Sequence, residues 1–129
     1  MNKFLIDTYT LLWYRAADER IGKRVIEIFS NPDAIKIISI ATFWELAIKQ
    51  SLGKLSLEED LNNLYNDVVY SGFEISPIEM EQINVLQTLP YHHKDPFDRI
   101  LIATAIAQNI PIISKDQHFS KYSIQTIWE

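Results

Sequence analysis

Four acidic side chains lie along this chain at positions where separate segments of one sheet would bring them together. Asp7 follows an apolar run, and Asp116 follows another near the end of the chain. Glu45 lies one helical turn beyond a third such run, and Asp98 opens an apolar segment that leads towards Asp116. Residues just past the carboxyl ends of parallel strands meet in one crevice. Carboxylates gathered there provide the oxygen ligands that Mg²⁺ or Mn²⁺ prefers.

The electrostatic cost of this arrangement favours a metal site over chance. Each acid alone has a structural explanation: Asp7 as a helix cap, Asp116 in a turn, and Glu45 in a surface ion pair with Lys49. Two carboxylates ~4 Å apart repel by roughly 4 kcal/mol at an effective dielectric constant of 20. A domain is stable by only about 5–15 kcal/mol. A cluster of four acids therefore requires retained protons or a bound cation.

Cations lie beside three of the four acids in the sequence. The net charge of −5 argues against a nucleic-acid binder. Lys49, Arg99 and Lys115 nevertheless sit where a site for both metal and phosphate would need them. We treat them as candidate phosphate contacts, although surface salt bridges explain them equally well.

Hydroxyl and imidazole groups near the acids have less specific interpretations. Thr8 and Thr10 flank Asp7 in the sequence, so their hydroxyls either support a carboxylate or a water on the metal, or cap the following helix. His92 and His93 are adjacent after a proline and are expected in a polar loop near the site. A zinc centre is not expected, because suitably spaced ligands are missing.

The elements that must position these residues alternate between strand-like and helix-like segments. This alternation predicts an α/β fold with a mostly parallel sheet of about five strands. We expect strands at 3–7, 36–40, 73–76, 110–114 and 124–128. We expect helices from residue 8, at 18–29, at 42–52, from 56 to before 72, at 79–89 and at 95–108, with Asp18, Ser56 and Asp95 as N-caps.

Length and composition indicate one domain over residues 1–129 in a reducing compartment. A chain of 129 residues is long enough for a hydrophobic core. There is no cysteine, so disulfides, thiolate zinc sites and cysteine nucleophiles are excluded. The first apolar run is too short for a signal peptide, and no run is long enough to cross a bilayer. We expect a cytoplasmic protein without a membrane contact.

Several blocks of the chain, in this order, resemble the signature of PIN-domain ribonucleases of the VapC toxin type. They are residues 4–13 (FLIDTYTLLW), 43–49 (FWELAIK), 51–55 (SLGKL), 95–103 (DPFDRILIA) and 113–116 (ISKD). Their order and spacing, together with Trp128, extend the resemblance over almost the whole chain.

The resemblance implies a fold, a function and a set of site residues. The fold is a PIN-like α/β/α sandwich on a parallel sheet. Matched residue by residue, the catalytic and metal-binding quartet falls on Asp7, Glu45, Asp98 and Asp116, with Asp95 as a supporting or additional acid. The implied function is a Mg²⁺- or Mn²⁺-dependent endoribonuclease, the toxin of a toxin–antitoxin pair. The implied partners are RNA, a second copy in a homodimer, and a cognate antitoxin whose C-terminal segment covers the acidic groove.

One position departs from the pattern, and two other functions remain open. Tyr9 stands where the resembling proteins usually have histidine, which affects the substrate contacts expected there. A receiver domain of a signalling protein is also α/β, binds Mg²⁺ and has a lysine late in the chain, as Lys115 is. That class needs two acids after the first strand, and this chain has only Asp7 there. The other alternative is a PIN-like module that binds RNA or protein without cleaving.

Overall fold

Parallel strands form the centre of the molecule in the computed structural model, which describes residues 2–129. The strands are β1 (Lys3–Ile6), β2 (Ile35–Ser39), β3 (Glu74–Ser76), β4 (Ile112–Ile113) and β5 (Thr126–Ile127). Their order across the sheet is β3-β2-β1-β4-β5, and every pairing is parallel. The direction of winding reverses between β1 and β4, which makes their carboxyl ends a topological switch point.

Within the described residues 2–129, six α-helices connect and cover these strands. They are α1 (Thr8–Arg15), α2 (Lys23–Ser30), α3 (Ile40–Ser51), α4 (Leu61–Tyr70), α5 (Met80–Thr88) and α6 (Pro96–Gln108). A short 3₁₀ helix, Phe119–Lys121, precedes β5. Among residues 2–129, no helix is long and apolar enough to cross a membrane.

Side chains alternate between the two faces of the sheet and build a core on each face. On β1, Ile6 packs in a cluster with residues of α1, α2, α3 and α4. The preceding residue, Leu5, packs in a second cluster with Leu101 and Ile102 of α6. This alternation follows from the two-residue period of a strand. The fold is therefore the predicted α/β/α sandwich with a five-stranded sheet.

Helix α6 begins as the sequence predicts. Asp95 is its N-cap and accepts hydrogen bonds from the backbone N–H groups of Phe97 and Asp98 at 2.9 and 3.1 Å. Pro96 occupies the first turn, where its missing N–H has no cost. The helix ends at Gln108, and Asn109 adopts a left-handed conformation with φ 53°.

Two predicted helix starts are wrong. The second helix does not begin near Asp18: it begins at Lys23 after Gly22, and Asp18 instead accepts from the backbone N–H of Arg20 at 2.9 Å. The fourth helix begins at Leu61, capped by Asp60 rather than Ser56. Asp and Ser are equally good caps, so the sequence does not distinguish Ser56 from Asp60. Helix α2 begins after Gly22, which forms no side-chain cap bond and therefore gives no such signal. The last two strands are also shorter than expected, with two residues each.

Candidate metal and active site

A cavity of about 520 Å³ lies at the carboxyl edge of the sheet, beside the switch point between β1 and β4. Its lining consists of acidic, cationic, aromatic and hydroxyl side chains: Asp7, Asp95, Asp98, Asp116, Arg20, Lys115, Tyr9, Trp13 and Thr8. Three of the four predicted quartet acids thus meet in one cavity. The fourth, Glu45, does not line it, but its charge is close enough to act on Asp98.

Asp7 is fixed by the elements on either side of it. It follows β1 and caps α1, so the backbone N–H of Thr10 donates to its Oδ1 at 2.7 Å. Its Oδ2 accepts from the Ser114 hydroxyl at 2.5 Å. Burial raises the pKa of the Asp7 carboxyl, and these hydrogen bonds offset part of that rise. Ser114 lies at the end of β4, so this bond joins the two strands of the switch point.

Glu45 is the most deeply buried of the acids, with 1% of its surface exposed. Its Oε2 accepts from Lys49 Nζ at 2.5 Å, and Lys49 also donates to the Tyr9 hydroxyl at 2.8 Å. Burial acts to lower the pKa of Lys49, but the bonds to Glu45 and Tyr9 outweigh it and raise that pKa. Glu45 Oε1 is the one buried side-chain polar atom without a hydrogen-bond partner in residues 2–129. Lys49 therefore donates to Oε2 of Glu45, whereas Oε1 has no hydrogen-bond partner among the described residues.

Ionisation of Asp98 is disfavoured by its burial and by the charges of the neighbouring acids. Its pKa is raised to about 8, first by burial and then, in decreasing order, by the charges of Asp95, Asp116, Glu45 and Asp7. Its Oδ2 lies 3.3 Å from His93 Nε2, and His93 Nδ1 lies 2.8 Å from the Tyr122 hydroxyl. Burial and the neighbouring His118 lower the pKa of His93. His93 and Tyr122 thus hold the Asp98 side chain in place.

Asp116 is held by the turn that follows β4. Its backbone N–H donates to the Ser114 hydroxyl at 3.0 Å, and its Oδ1 accepts from the backbone N–H of His118 at 2.8 Å. Ser114 therefore contacts both Asp7 and the Asp116 backbone. Sequence reasoning did not identify it, although its place two residues before Asp116 was a usable signal.

The two threonine hydroxyls differ in their relation to the acids. Thr8 Oγ1 lies 3.1 Å from Thr42 Oγ1 and links α1 to α3. Thr10 Oγ1 donates to the Ile113 carbonyl at 3.3 Å, and hydrogen bonds from both its side chain and its backbone N–H act to lower the pKa of Asp7. Thr8 nevertheless lines the cavity.

The predicted phosphate-binding cations differ sharply in what they contact. Arg99 is 3% exposed, and its guanidinium donates to the carbonyls of Leu89 and Pro90 at 3.0 and 2.8 Å and to Tyr122 Oη at 3.2 Å. The burial of Arg99 and these protein acceptors argue against the predicted phosphate contact of its guanidinium. Lys115 is exposed and lines the cavity.

The acidic side chains are not already arranged as a metal-binding group within residues 2–129, but their chemistry suits a divalent cation. Within residues 2–129, no group of three or more His, Asp or Glu side chains is arranged closely enough to hold a metal ion outright. The chemistry of the residues nevertheless fits one: all the acids offer oxygen ligands, Glu45 Oε1 is buried without a partner, and Asp98 retains a proton at neutral pH. A cation among these carboxylates would give Glu45 Oε1 a partner and would favour the ionised form of Asp98.

The fold and this site define an α/β protein with an acidic crevice at a topological switch point. Residues 4–125 match the model of the PIN domain family. The chain belongs to that family, which confirms the resemblance stated from the sequence. A search of curated proteins finds no match.

Solved structures of similar fold include VapBC2 from Rickettsia felis bound to a promoter DNA fragment, at 15% identity and TM-score 0.74, covering 98% of this chain and 99% of the other. FitAcB from Neisseria gonorrhoeae is 16% identical with TM-score 0.67, covering 96% of each chain. DNA-bound VapBC from Salmonella typhimurium is 17% identical with TM-score 0.67, covering 98% of each. At these identities the likeness concerns the fold.

Proposed function

We propose that this protein is a metal-dependent endoribonuclease and the toxin of a toxin–antitoxin pair. The observation that carries the proposal is the set of acids around one cavity, with a partnerless Glu45 oxygen and an Asp98 pKa of about 8. A cluster this costly to the fold is expected where function requires it. Membership of the PIN domain family supports the same reaction class.

The strand order argues against the signalling alternative. Receiver domains have the order 2-1-3-4-5, whereas this sheet has β3-β2-β1-β4-β5. The crevice here is therefore built from different strands, and the family match points the same way.

In this proposal Asp7, Glu45, Asp98 and Asp116 hold Mg²⁺ or Mn²⁺. Such an ion supplies a Lewis acid that stabilises charge on a phosphodiester and lowers the pKa of water. The role of the protein is to fix the ligands beforehand. Ser114 and the Thr10 N–H orient Asp7, and His93 orients Asp98.

Two further residues of the proposal have narrower tasks. Lys49 donates to Oε2 of Glu45, so only Oε1 of that side chain remains available to a metal ion. Asp95 caps α6 through Oδ1 and lines the cavity, so it supports the placement of Asp98 and adds negative charge beside it.

The partners follow from the same assignment. The solved structures of similar fold include VapBC complexes, which supports a cognate antitoxin for this chain. A homodimer and a cytoplasmic location remain part of the proposal on the basis of the sequence resemblance and the absence of cysteine.

RNA cleavage by matched variants tests the proposal. The purified protein is incubated with end-labelled single-stranded RNA in Mn²⁺, in Mg²⁺ and in EDTA. We expect cleavage only with a divalent ion, and its loss in Asp116→Asn. Asp33→Asn removes the same charge at an exposed turn remote from the cavity lining and should cleave like the wild type. RNA binding without cleavage in any divalent ion would contradict the enzyme and favour the binding module.

A further inference from the structure

Arg20 is a cavity-lining cation that the sequence motifs do not include. It lies in the turn between α1 and α2, and its guanidinium sits over the Trp13 ring, 4.8 Å from the centroid. Both side chains line the same cavity as the acids. Stacking on an aromatic face fixes the plane of a guanidinium while leaving its N–H groups free to donate.

The charge of Arg20 is largely available to a ligand. Its side chain is 51% exposed, and its one ion pair within residues 2–129 is a long contact of 3.7 Å to Asp18. By contrast, Arg99 is occupied by carbonyls and Lys49 by Glu45 and Tyr9. Lys115 is the other cation that lines the cavity. The cavity therefore combines carboxylates with two cations that retain free donors.

We propose that Arg20, held over Trp13, and Lys115 form a phosphate subsite for an unpaired RNA nucleotide next to the acidic cluster. This inference rests on the proposed function and specifies its substrate class. A guanidinium donates two parallel hydrogen bonds to a phosphate. The subsite holds the phosphate adjacent to the one cleaved, so that the RNA strand runs from cations to carboxylates within one cavity.

The size of the cavity selects a single strand. At about 520 Å³ it lies within the range of small-ligand pockets, about 300–1,000 Å³. One splayed nucleotide fits such a volume, whereas double-stranded RNA is bound across its groove by an extended surface. Recognition of unpaired RNA also agrees with a net charge of −5, because the favourable charge is confined to two side chains rather than spread over a face.

The test compares two arginines that differ in location. Binding of labelled single-stranded RNA is measured by anisotropy in Mg²⁺, in an Asp98→Asn background that suppresses cleavage. Arg20→Gln removes the subsite cation. Arg24→Gln is the matched control, since Arg24 is exposed on α2, donates to the Glu129 carbonyl at 3.1 Å and does not line the cavity. Arg20→Lys keeps the positive charge but lacks the planar pair of N–H donors. Lys115→Gln removes the other cation of the proposed subsite and leaves the turn that carries Arg20 unchanged.

We expect Arg20→Gln to weaken RNA binding at least about fivefold. The plot of log affinity against log salt should become less steep, with the magnitude of its negative slope smaller by ~0.7. Lys115→Gln should act in the same direction, Arg20→Lys should fall between Arg20→Gln and the parent, and Arg24→Gln should change binding less than about twofold. Equal binding by Arg20→Gln and Arg24→Gln, while the otherwise wild-type protein cleaves RNA, overturns the subsite alone. A wild-type protein that neither binds nor cleaves RNA overturns both the subsite and the nuclease.

Discussion

At the scale of single residues, Asp98 links the stability of the protein to its site. Its pKa of about 8 is far above the ordinary value of 3.8, because burial and four neighbouring carboxylates disfavour its charge. At pH values between these two pKa values, Asp98 keeps its proton in the folded protein and has released it in the unfolded chain. The free energy of unfolding therefore decreases as pH rises from about 4 to about 8.

Asp98→Asn should remove the contribution of Asp98 to this pH dependence. The amide carries no titrating proton, so in EDTA the variant should melt at a higher temperature than the wild type near pH 8 and about equally near pH 4. Thermal melts across this range measure the effect, with Asp33→Asn as the charge-matched control at an exposed position. Parallel curves for Asp98→Asn and wild type would show that Asp98 ionises normally in the folded protein.

The gathering of three acids in one cavity was predictable from the sequence, but the side chains that orient them were not. Asp7, Asp98 and Asp116 line one cavity because they follow or face the ends of adjacent strands, a rule that needs no coordinates. The side chains that orient them come from distant positions: Ser114 is 107 residues from Asp7. Such pairings depend on the register of β1 and β4, which sequence periodicity does not specify.

At the scale of elements, the parallel pairing of β1 with β4 sets the geometry of the site. Ile6 pairs with Ile113, and one residue further along each strand Ser114 donates to Asp7. Ser114 also accepts from the backbone of Asp116. A single hydroxyl therefore sets the position of two acids relative to each other.

Ser114→Ala should affect both stability and activity. It leaves a buried carboxylate oxygen without a partner, which costs about 1–3 kcal/mol, and it frees Asp7 and Asp116 to move apart. We expect a lower urea midpoint with an unchanged m-value, and slower RNA cleavage at saturating Mn²⁺. Ser123→Ala, at an exposed position, should match the wild type in both measurements. Full activity of Ser114→Ala would mean that the hydroxyl does not position the acids.

Element boundaries show where sequence reasoning failed. The start of helix α6 was predicted correctly because a capping aspartate is followed directly by a proline. Helix α4 begins later than predicted, because Ser56 and Asp60 are both suitable caps and allow more than one start. Packing selects the later one, where Leu64 and Val68 enter the core.

At the scale of the whole molecule, a net charge of −5 and an acidic cavity restrict what binds there. If the proposed function is right, an antitoxin that inhibits at this cavity is expected to bring positive charge to the carboxylates. We propose that a segment of the antitoxin that is disordered when free places an arginine or lysine against them. Such a side chain would satisfy the same oxygens as the metal.

Metal and antitoxin should then compete. Titration of the purified complex with Mn²⁺ should weaken it, and Asp98→Asn, which removes a charge from the cluster, should weaken it as well. Affinity measured by calorimetry at several Mn²⁺ concentrations provides the check. A complex insensitive to both changes would place inhibition elsewhere on the surface.

Under the proposed function, the acid cluster holds the ion that cleavage requires. The most direct measurement follows Mn²⁺ binding by electron paramagnetic resonance and RNA cleavage rate in the same titration, for wild type and Glu45→Gln. Glu45 Oε1 is the buried oxygen that has no protein partner. We predict that binding and cleavage rise together with Mn²⁺ in the wild type, and that both midpoints shift to at least about tenfold higher Mn²⁺ in Glu45→Gln. Cleavage that persists in EDTA, or midpoints that Glu45→Gln leaves unchanged, would contradict this claim.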